Sequence, residues 1–101
     1  PTRATITGTL KDRSGAVLNK RAYVRIYKAD KTDEPIGYDY VSSYDDGKYE
    51  FKCVPNGTYV IKAFDNESDK ELATSGTITV TGTNVVVDFP NLPIDNEPSY
   101  N

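Results

Sequence analysis

Apolar and polar residues alternate with a period of two along most of the chain. Ala4, Ile6, Gly8 and Leu10 share one parity, and Thr5, Thr7 and Thr9 the other, which is the pattern of a strand with one face toward a core and one toward water. A polar stretch, 11–15, ends it as a turn, with Gly15 available for a left-handed backbone conformation. Residues 16–19 lead into a second predicted strand over 21–28, where Ala22, Val24 and Ile26 point inward and Tyr23, Arg25 and Tyr27 outward. The charged run 29–35 ends in Pro35 and predicts a loop over one end of the domain. Residues 36–43 resume as a strand with Tyr38 and Tyr40 at the same parity, and the pattern leaves open which face they take.

The strongest signal runs over 45–61. Tyr49 and Phe51, then Tyr59, Ile61 and Ala63, flank the break Val54-Pro55-Asn56-Gly57. This predicts two antiparallel strands, 48–53 and 58–64, joined as a hairpin, with pairing strands supplied from before it and a closing edge from after it. A charged loop follows at 65–70, and a weak segment begins at Leu72; whether 73–76 completes a strand or bridges two is open. Residues 77–81 and 84–89 predict a second hairpin across Gly82-Thr83. No window carries a 3.6-residue apolar period and β-branched residues dominate each element, so the chain is expected to be all-β and built in two layers.

A length of 101 residues allows a single modest core. The hydrophobic fraction of 37% and mean hydropathy of −0.59 are low, but the aromatic and β-branched content argues against disorder. The net charge is −3 with both signs interspersed, so no basic stripe is available to neutralise phosphates and nucleic acid is not an expected partner. No long apolar run, export signal or lipidation motif stands in these residues, and membrane insertion is not expected. The absence of histidine excludes Ser-His-Asp and Cys-His nucleophiles and His-bound metals. Cys53 is the single cysteine and has no internal partner; it reads as a small buried hydrophobe near a strand end.

Other candidate chemistry is weak. Asp45-Asp46-Gly47 lacks the spaced ligands of a calcium loop and reads as a turn. Glu50, opposite in parity to Tyr49 and Phe51, should be solvated rather than paired with a second carboxylate in a cleft. Gly8, Gly15 and Gly82 follow no phosphate-loop spacing. The sequons at 56–58 and 66–68 are taken as chance. The chain is therefore expected to be no enzyme, with no metal and no cofactor.

Four stretches carry a family resemblance. They are Gly8-Thr9-Leu10-Lys11-Asp12-Arg13-Ser14-Gly15, Ala22-Tyr23-Val24, Ser43 through Asp46-Gly47-Lys48-Tyr49-Glu50-Phe51, and Pro55-Asn56-Gly57-Thr58-Tyr59-Val60-Ile61. They resemble carboxypeptidase regulatory-like domains, members of the prealbumin-like (transthyretin-like) β-sandwiches and relatives of the Cna B-type repeats of bacterial surface proteins. The resemblance covers 4–89 and implies a Greek-key, Ig-like sandwich of seven strands, with six to eight accommodated. In it Gly15, Gly47 and Gly57 open turns, while Tyr49, Phe51, Tyr59 and Ile61 fill the space between the sheets. Cna B-type repeats often carry an internal Lys–Asn or Lys–Asp isopeptide bond assisted by a buried Glu. Here Leu10 stands in the place of the Lys and Ala63 in that of the Glu, so no such bond is expected; Lys11 and Asp88 are substitutes only if the register is shifted by one residue.

The domain is expected over 1–89 and a proline-rich extended arm over 90–101, in which Leu92, Ile94 and Tyr100 are apolar anchors for docking on a partner. Five of the eight tyrosines fall between Tyr23 and Tyr44. Tyr23, Arg25 and Tyr27 accordingly mark an exposed face suited to a glycan or a protein, set against a plain reading as cross-strand pairs. Pro1 fits a terminus left by removal of an initiator Met, as in a free-standing protein, with a piece trimmed from a larger protein as the competing explanation. Together these features favour an accessory protein docking on a larger assembly, such as a decoration or auxiliary protein of a bacteriophage capsid located in the virion. The alternative is a spacer or a glycan- or protein-binding module of a bacterial cell-surface or secreted protein, and the accessory domain of a peptidase comes third. Expected partners are a capsid, a surface array or further copies of the chain, with a glycan as a further candidate.

Overall fold

The computed structural model describes residues 1–98, which form eight strands with no helix among them. These are β1 (Arg3–Thr9), β2 (Ala22–Lys28), β3 (Gly37–Val41), β4 (Lys48–Pro55), β5 (Gly57–Asp65), β6 (Glu71–Thr74), β7 (Ile78–Val80) and β8 (Val85–Val86). They make a β-sandwich of a three-stranded sheet, ordered β4-β1-β8, and a five-stranded sheet, ordered β3-β2-β5-β6, with β7 also on β5. Inward residues of both sheets, among them Ile6, Leu10, Val24, Ile26, Tyr49, Phe51, Tyr59 and Ile61, form one core.

Neither predicted hairpin exists as a pair. β4 bonds to β1 and β5 to β2, so the 54–57 break carries the chain from one sheet to the other. Likewise β7 lies on β5 while β8 lies on β1. The reason is that alternation marks which side of a strand is apolar, not which strand it bonds to: Tyr49/Phe51 and Tyr59/Ile61 face each other across the core rather than side by side. The first crossing is held by Tyr59, whose hydroxyl donates to the Pro55 carbonyl at 2.6 Å, and by Asn56 N–H on the Thr2 carbonyl at 2.9 Å. Residues 75–77 bridge β6 and β7, with Ser75 Oγ accepting from Ile61 N–H at 2.9 Å and Ser75 N–H donating to Ile61 O at 2.8 Å.

Cys53 is exposed, contrary to its reading as a buried hydrophobe. The β1–β4 register slips between Ala4 and Ile6, which pair with Val54 and Phe51, so Lys52 and Cys53 share the place of one residue in a bulge. Cys53 takes φ = 56° there and its side chain turns outward.

The three-stranded sheet is closed through Gly8. Tyr49 pairs with Gly8, its ring lies over the missing side chain, and its hydroxyl donates to the Val87 carbonyl beyond β8. A Cβ on Gly8 would collide with that carbonyl and stand 2.5 Å from the Tyr49 ring. Gly47, at φ = 71°, is equally constrained, since a Cβ there would approach Leu10 O to 2.5 Å. Burial, followed by the Asp88 charge, pushes the Tyr49 phenol far above its ordinary range.

The expected arm is in large part a component of the domain. Beyond β8 the chain keeps running parallel to the β1 direction: Val87 N–H and Phe89 N–H donate to Thr7 O and Thr9 O at 2.8 and 2.9 Å, and Lys11 N–H donates to Phe89 O at 2.9 Å. Leu92 N–H then donates to Lys11 O at 3.0 Å and Arg13 N–H to Ile94 O at 2.9 Å. Leu92 and Ile94, expected as anchors for a partner, are only 1% and 9% exposed and belong to this chain's own core. They flank a tight turn at Pro93, closed by Ile94 N–H on Leu92 O at 2.7 Å, and the neighbouring prolines fall where no N–H is needed. Tyr100, the third expected anchor, lies outside the described residues.

The buried carboxylate of Asp12 organises this end. Its Oδ1 accepts from Ser14 Oγ at 2.7 Å, Ser14 N–H at 2.9 Å and Ala16 N–H at 3.0 Å, and its Oδ2 from Asn96 N–H at 3.4 Å. The Ser14 hydroxyl and these amides hold the carboxyl below its ordinary range. Asn96 adds two bonds, accepting from Asn19 N–H on its Oδ1 at 2.9 Å and donating its Nδ2 to Val17 O at 2.9 Å, and Asn19 and Glu97 bond reciprocally, Glu97 N–H to Asn19 Oδ1 at 2.9 Å and Asn19 Nδ2 to Glu97 O at 3.1 Å.

In urea denaturation, Leu92→Ala should lower stability by about 2–5 kcal/mol, whereas Val86→Ala, on a mostly exposed residue, should change it by about 0.5 kcal/mol or less. Stability should also fall as pH rises above about 10, the ordinary tyrosine value, because the unfolded chain then releases protons that folded Tyr49 retains. The contribution is complete below that pH and is lost progressively above it, and urea midpoints between pH 8 and 12 should decline less steeply for Tyr49→Phe.

Candidate binding face

β2 lies between β3 and β5, so its outward residues have neighbours on both sides. Tyr23 pairs with Tyr40 and Phe64, Arg25 with Tyr38 and Lys62, and Tyr27 with Val60. Directly paired residues share a face, and the outer face of the five-stranded sheet is therefore rich in aromatic rings. Tyr23 stacks on Phe64 with ring centroids 5.1 Å apart and planes at 10°, and meets Tyr40 at 5.8 Å and 51°. The Arg25 guanidinium lies 4.8 Å from the Phe64 ring centre and 5.2 Å from that of Tyr23. Lys62 Nζ stands 5.5 Å from the Tyr27 ring centre and 3.2 Å from Glu71.

Tyr23 and Tyr27, expected as exposed contacts, are 7% and 5% exposed, whereas Tyr38 and Tyr40 are each 64% exposed. Position in the sheet accounts for the inversion. A central strand has its outward side chains covered from both flanks, while edge strand β3 has a neighbour on one side. Arg25 is intermediate, between the two groups.

The 65–70 loop supplies the polar wall. Tyr23 hydroxyl donates to Asp69 Oδ1 at 2.8 Å, and Asp69, at φ = 58°, donates its own N–H to Asp65 O at 2.8 Å. Asp65 in turn accepts from Ser68 Oγ at 2.8 Å, a bond that leads the causes holding its carboxyl below the ordinary range. Burial first, then the bond and charge of Asp69, raise the Tyr23 phenol, so Tyr23 remains a donor at neutral pH. Tyr23, Arg25, Tyr38, Tyr40, Asn66 and Asp69 line a shallow depression of about 340 Å³.

Sequence reasoning missed Tyr38, Tyr40, Asn66, Phe64 and Asp69 as parts of one surface. The inward parity of β3 holds Gly37, Asp39 and Val41, too little apolar contrast to orient the strand. Asp39 stays at the sandwich edge, where its carboxylate accepts from Glu50 N–H at 2.9 Å. Elsewhere Leu10 and Ala63 are buried apolar residues, and Asp88 Oδ1 accepts from Thr9 N–H at 2.9 Å. Among the described residues no group of three or more metal-ligating side chains is gathered, and no helix is long and apolar enough to cross a membrane.

No family model matches the chain, and no curated protein matches it. Among solved structures it is similar to a DUF3823 family protein from Bacteroides uniformis, with 17% identity and a TM-score of 0.56 over 91% of this chain and 43% of that one. It is also similar to the major pilin subunit of Bacillus cereus, with 13% identity and a TM-score of 0.53 over 87% of this chain and 30% of that one. A candidate carbohydrate-binding protein from Pseudomonas aeruginosa aligns over 87% of this chain and 89% of that one at 20% identity, but its TM-score of 0.46 carries no argument. The chain spans less than half the length of the first two. These likenesses establish a β-sandwich domain and nothing finer.

Tyr23→Ala should destabilise the domain by about 3–5 kcal/mol and Tyr38→Ala by about 1 kcal/mol or less, because the first ring is enclosed by its neighbours and the second is mostly in water. Thermal and urea unfolding of the two variants would measure this contrast.

Proposed function

We propose that the chain is a non-catalytic β-sandwich module of a bacterial cell-surface or secreted protein, serving as a spacer that carries a binding face for a glycan or a protein. The observation that supports this best is the exposed Tyr38/Tyr40 pair set on the Tyr23–Arg25–Phe64 stack beside Asp69. The exposed rings offer apolar contact, and the side chains beneath them are held in place. The likeness to a pilin subunit supports placement at a cell surface, as does the resemblance to carboxypeptidase regulatory-like and Cna B-type sandwiches. A prealbumin-like, Greek-key connection of the sheets belongs to the same proposal.

The virion-decoration reading has lost its main argument. It depended on an arm with free apolar anchors, and two of those anchors, Leu92 and Ile94, are occupied within the chain's own core.

Limited trypsin treatment of intact source cells, followed by mass spectrometry, tests the placement. The peptide 53–62, bounded by Lys52 and Lys62, should be found when the fragments shed from intact cells, or the medium, are denatured and digested to completion. Its recovery only from the cytoplasm after lysis, or only from purified virus particles, would overturn the surface reading.

A further inference from the structure

The depression between β3, β2 and the 65–70 loop has the geometry and chemistry to select one kind of occupant. The Tyr38 and Tyr40 rings are 5.6 Å apart with planes at 84°. Coplanar rings along a strand would make a platform for successive units of an extended polymer. Perpendicular rings make a corner, with one ring under a ligand and the other beside it, and a corner seats a single ring-sized unit. Behind it, Tyr40 leans on Tyr23, which is itself fixed by Phe64, Arg25 and Asp69, so the corner exists before anything binds.

The polar groups on the other side are those a polyhydroxylated ligand needs. Asp69 uses Oδ1 for the Tyr23 hydroxyl, which leaves its second oxygen as an acceptor for ligand hydroxyls. Asn66 contributes an amide able both to donate and to accept, and Arg25 contributes guanidinium N–H groups. One cation and one anion line the depression, so its charges cancel and a neutral ligand fits better than an anionic one. Its volume of about 340 Å³ lies at the lower end of small-ligand sites. Two exposed rings beside the charged side chains of Arg25 and Asp69 are also far from the roughly 800 Å² per partner of a stable protein interface.

We propose that this depression binds one neutral pyranose unit of a glycan, with a C–H face on the Tyr38/Tyr40 corner and its hydroxyls on Asp69, Asn66 and Arg25. The proposal rests on the binding-face reading above and names its ligand. Tyr38 and Tyr40 supply stacking area, the three polar residues set which hydroxyl pattern is accepted, and Tyr23 is a positioning residue that holds Asp69.

The test is a titration of the ¹⁵N-labelled chain, followed by amide shifts, with methyl glycosides of glucose, galactose, mannose and N-acetylglucosamine, and with methyl glucuronide as the anionic counter-probe. At least one neutral glycoside should shift the amides of residues 23, 38, 40, 66 and 69 saturably, with a Kd on the order of millimolar, and the glucuronide should bind more weakly. Tyr40→Ala and Asp69→Ala should each weaken that binding by roughly tenfold while the remaining amide spectrum stays that of a folded domain. No saturable shift with any neutral glycoside up to roughly 20 mM, or shifts confined to another surface, would overturn the proposal. Shifts of the same five amides with protein concentration alone, abolished by Tyr40→Ala, would also overturn it and assign the face to contact between copies of the chain. A negative titration combined with recovery of peptide 53–62 from the fragments shed by intact cells would remove the sugar and leave the surface module standing, whereas loss of the surface placement would appear in the trypsin experiment alone.

Discussion

The fold depends on an empty space at Gly8. Because that residue has no side chain, the Tyr49 ring crosses β1 and its hydroxyl reaches the Val87 carbonyl, tying β4, β1 and the segment after β8 together with one side chain. β8 itself contributes only two paired residues, so the third strand of this sheet has little hold of its own. The Tyr49–Val87 bond and the following parallel run past Phe89, Leu92 and Ile94 supply what β8 lacks. Inside a core whose other members are almost all apolar, the buried phenol retains its proton and acts purely as a donor.

From that closure follows the role of the residues after β8. Two prolines interrupt the hydrogen-bond ladder without ending it, since the intervening Leu92 N–H and Ile94 C=O still bond to the β1–β2 connection. Asp12 makes the connection rigid enough to receive them: one carboxylate gathers the Ser14 hydroxyl and three backbone amides. The exposed Arg13–Asp95 pair at 3.1 Å adds little beside this, because ions in water gain little by pairing. A segment that looks like a docking arm in one dimension is thereby the last piece of the core.

On the opposite sheet the same principle of flanking support produces a surface rather than an interior. Tyr23 is covered by Phe64 and Tyr40, Tyr27 by Val60 and Lys62, and the free ring area is displaced to β3 at the edge. Edge strands risk indiscriminate pairing with other chains. Here Asp39 bonds to Glu50 N–H and draws the β3 edge toward β4, while Tyr38 and Tyr40 project from the other side of the strand. That bond occupies a backbone N–H of β4, the edge strand of the other sheet, so the two sheets are linked at this edge by a side chain.

Which residues are inward was legible from the sequence at nearly every strand, because the pleat alternates whatever the strand pairs with. Ala22, Val24 and Ile26 against Tyr23, Arg25 and Tyr27, or Tyr49 and Phe51 against Glu50, needed no further information. So were the two-layer all-β class and the absence of histidine-based chemistry. Pairing was not legible: a turn such as 54–57 can return a strand beside its predecessor or across from it with the same alternation on both sides, and only the competition of β1 and β2 for those edges decides. The same holds for Cys53, turned outward by a bulge set by its partner strand, and for Leu92 and Ile94, whose burial depends on a surface formed by residues some eighty positions earlier. The candidate site is of this second kind. Tyr38, Tyr40, Asn66 and Asp69 come from an edge strand and a distant loop, and they meet only because β2 lies between β3 and β5.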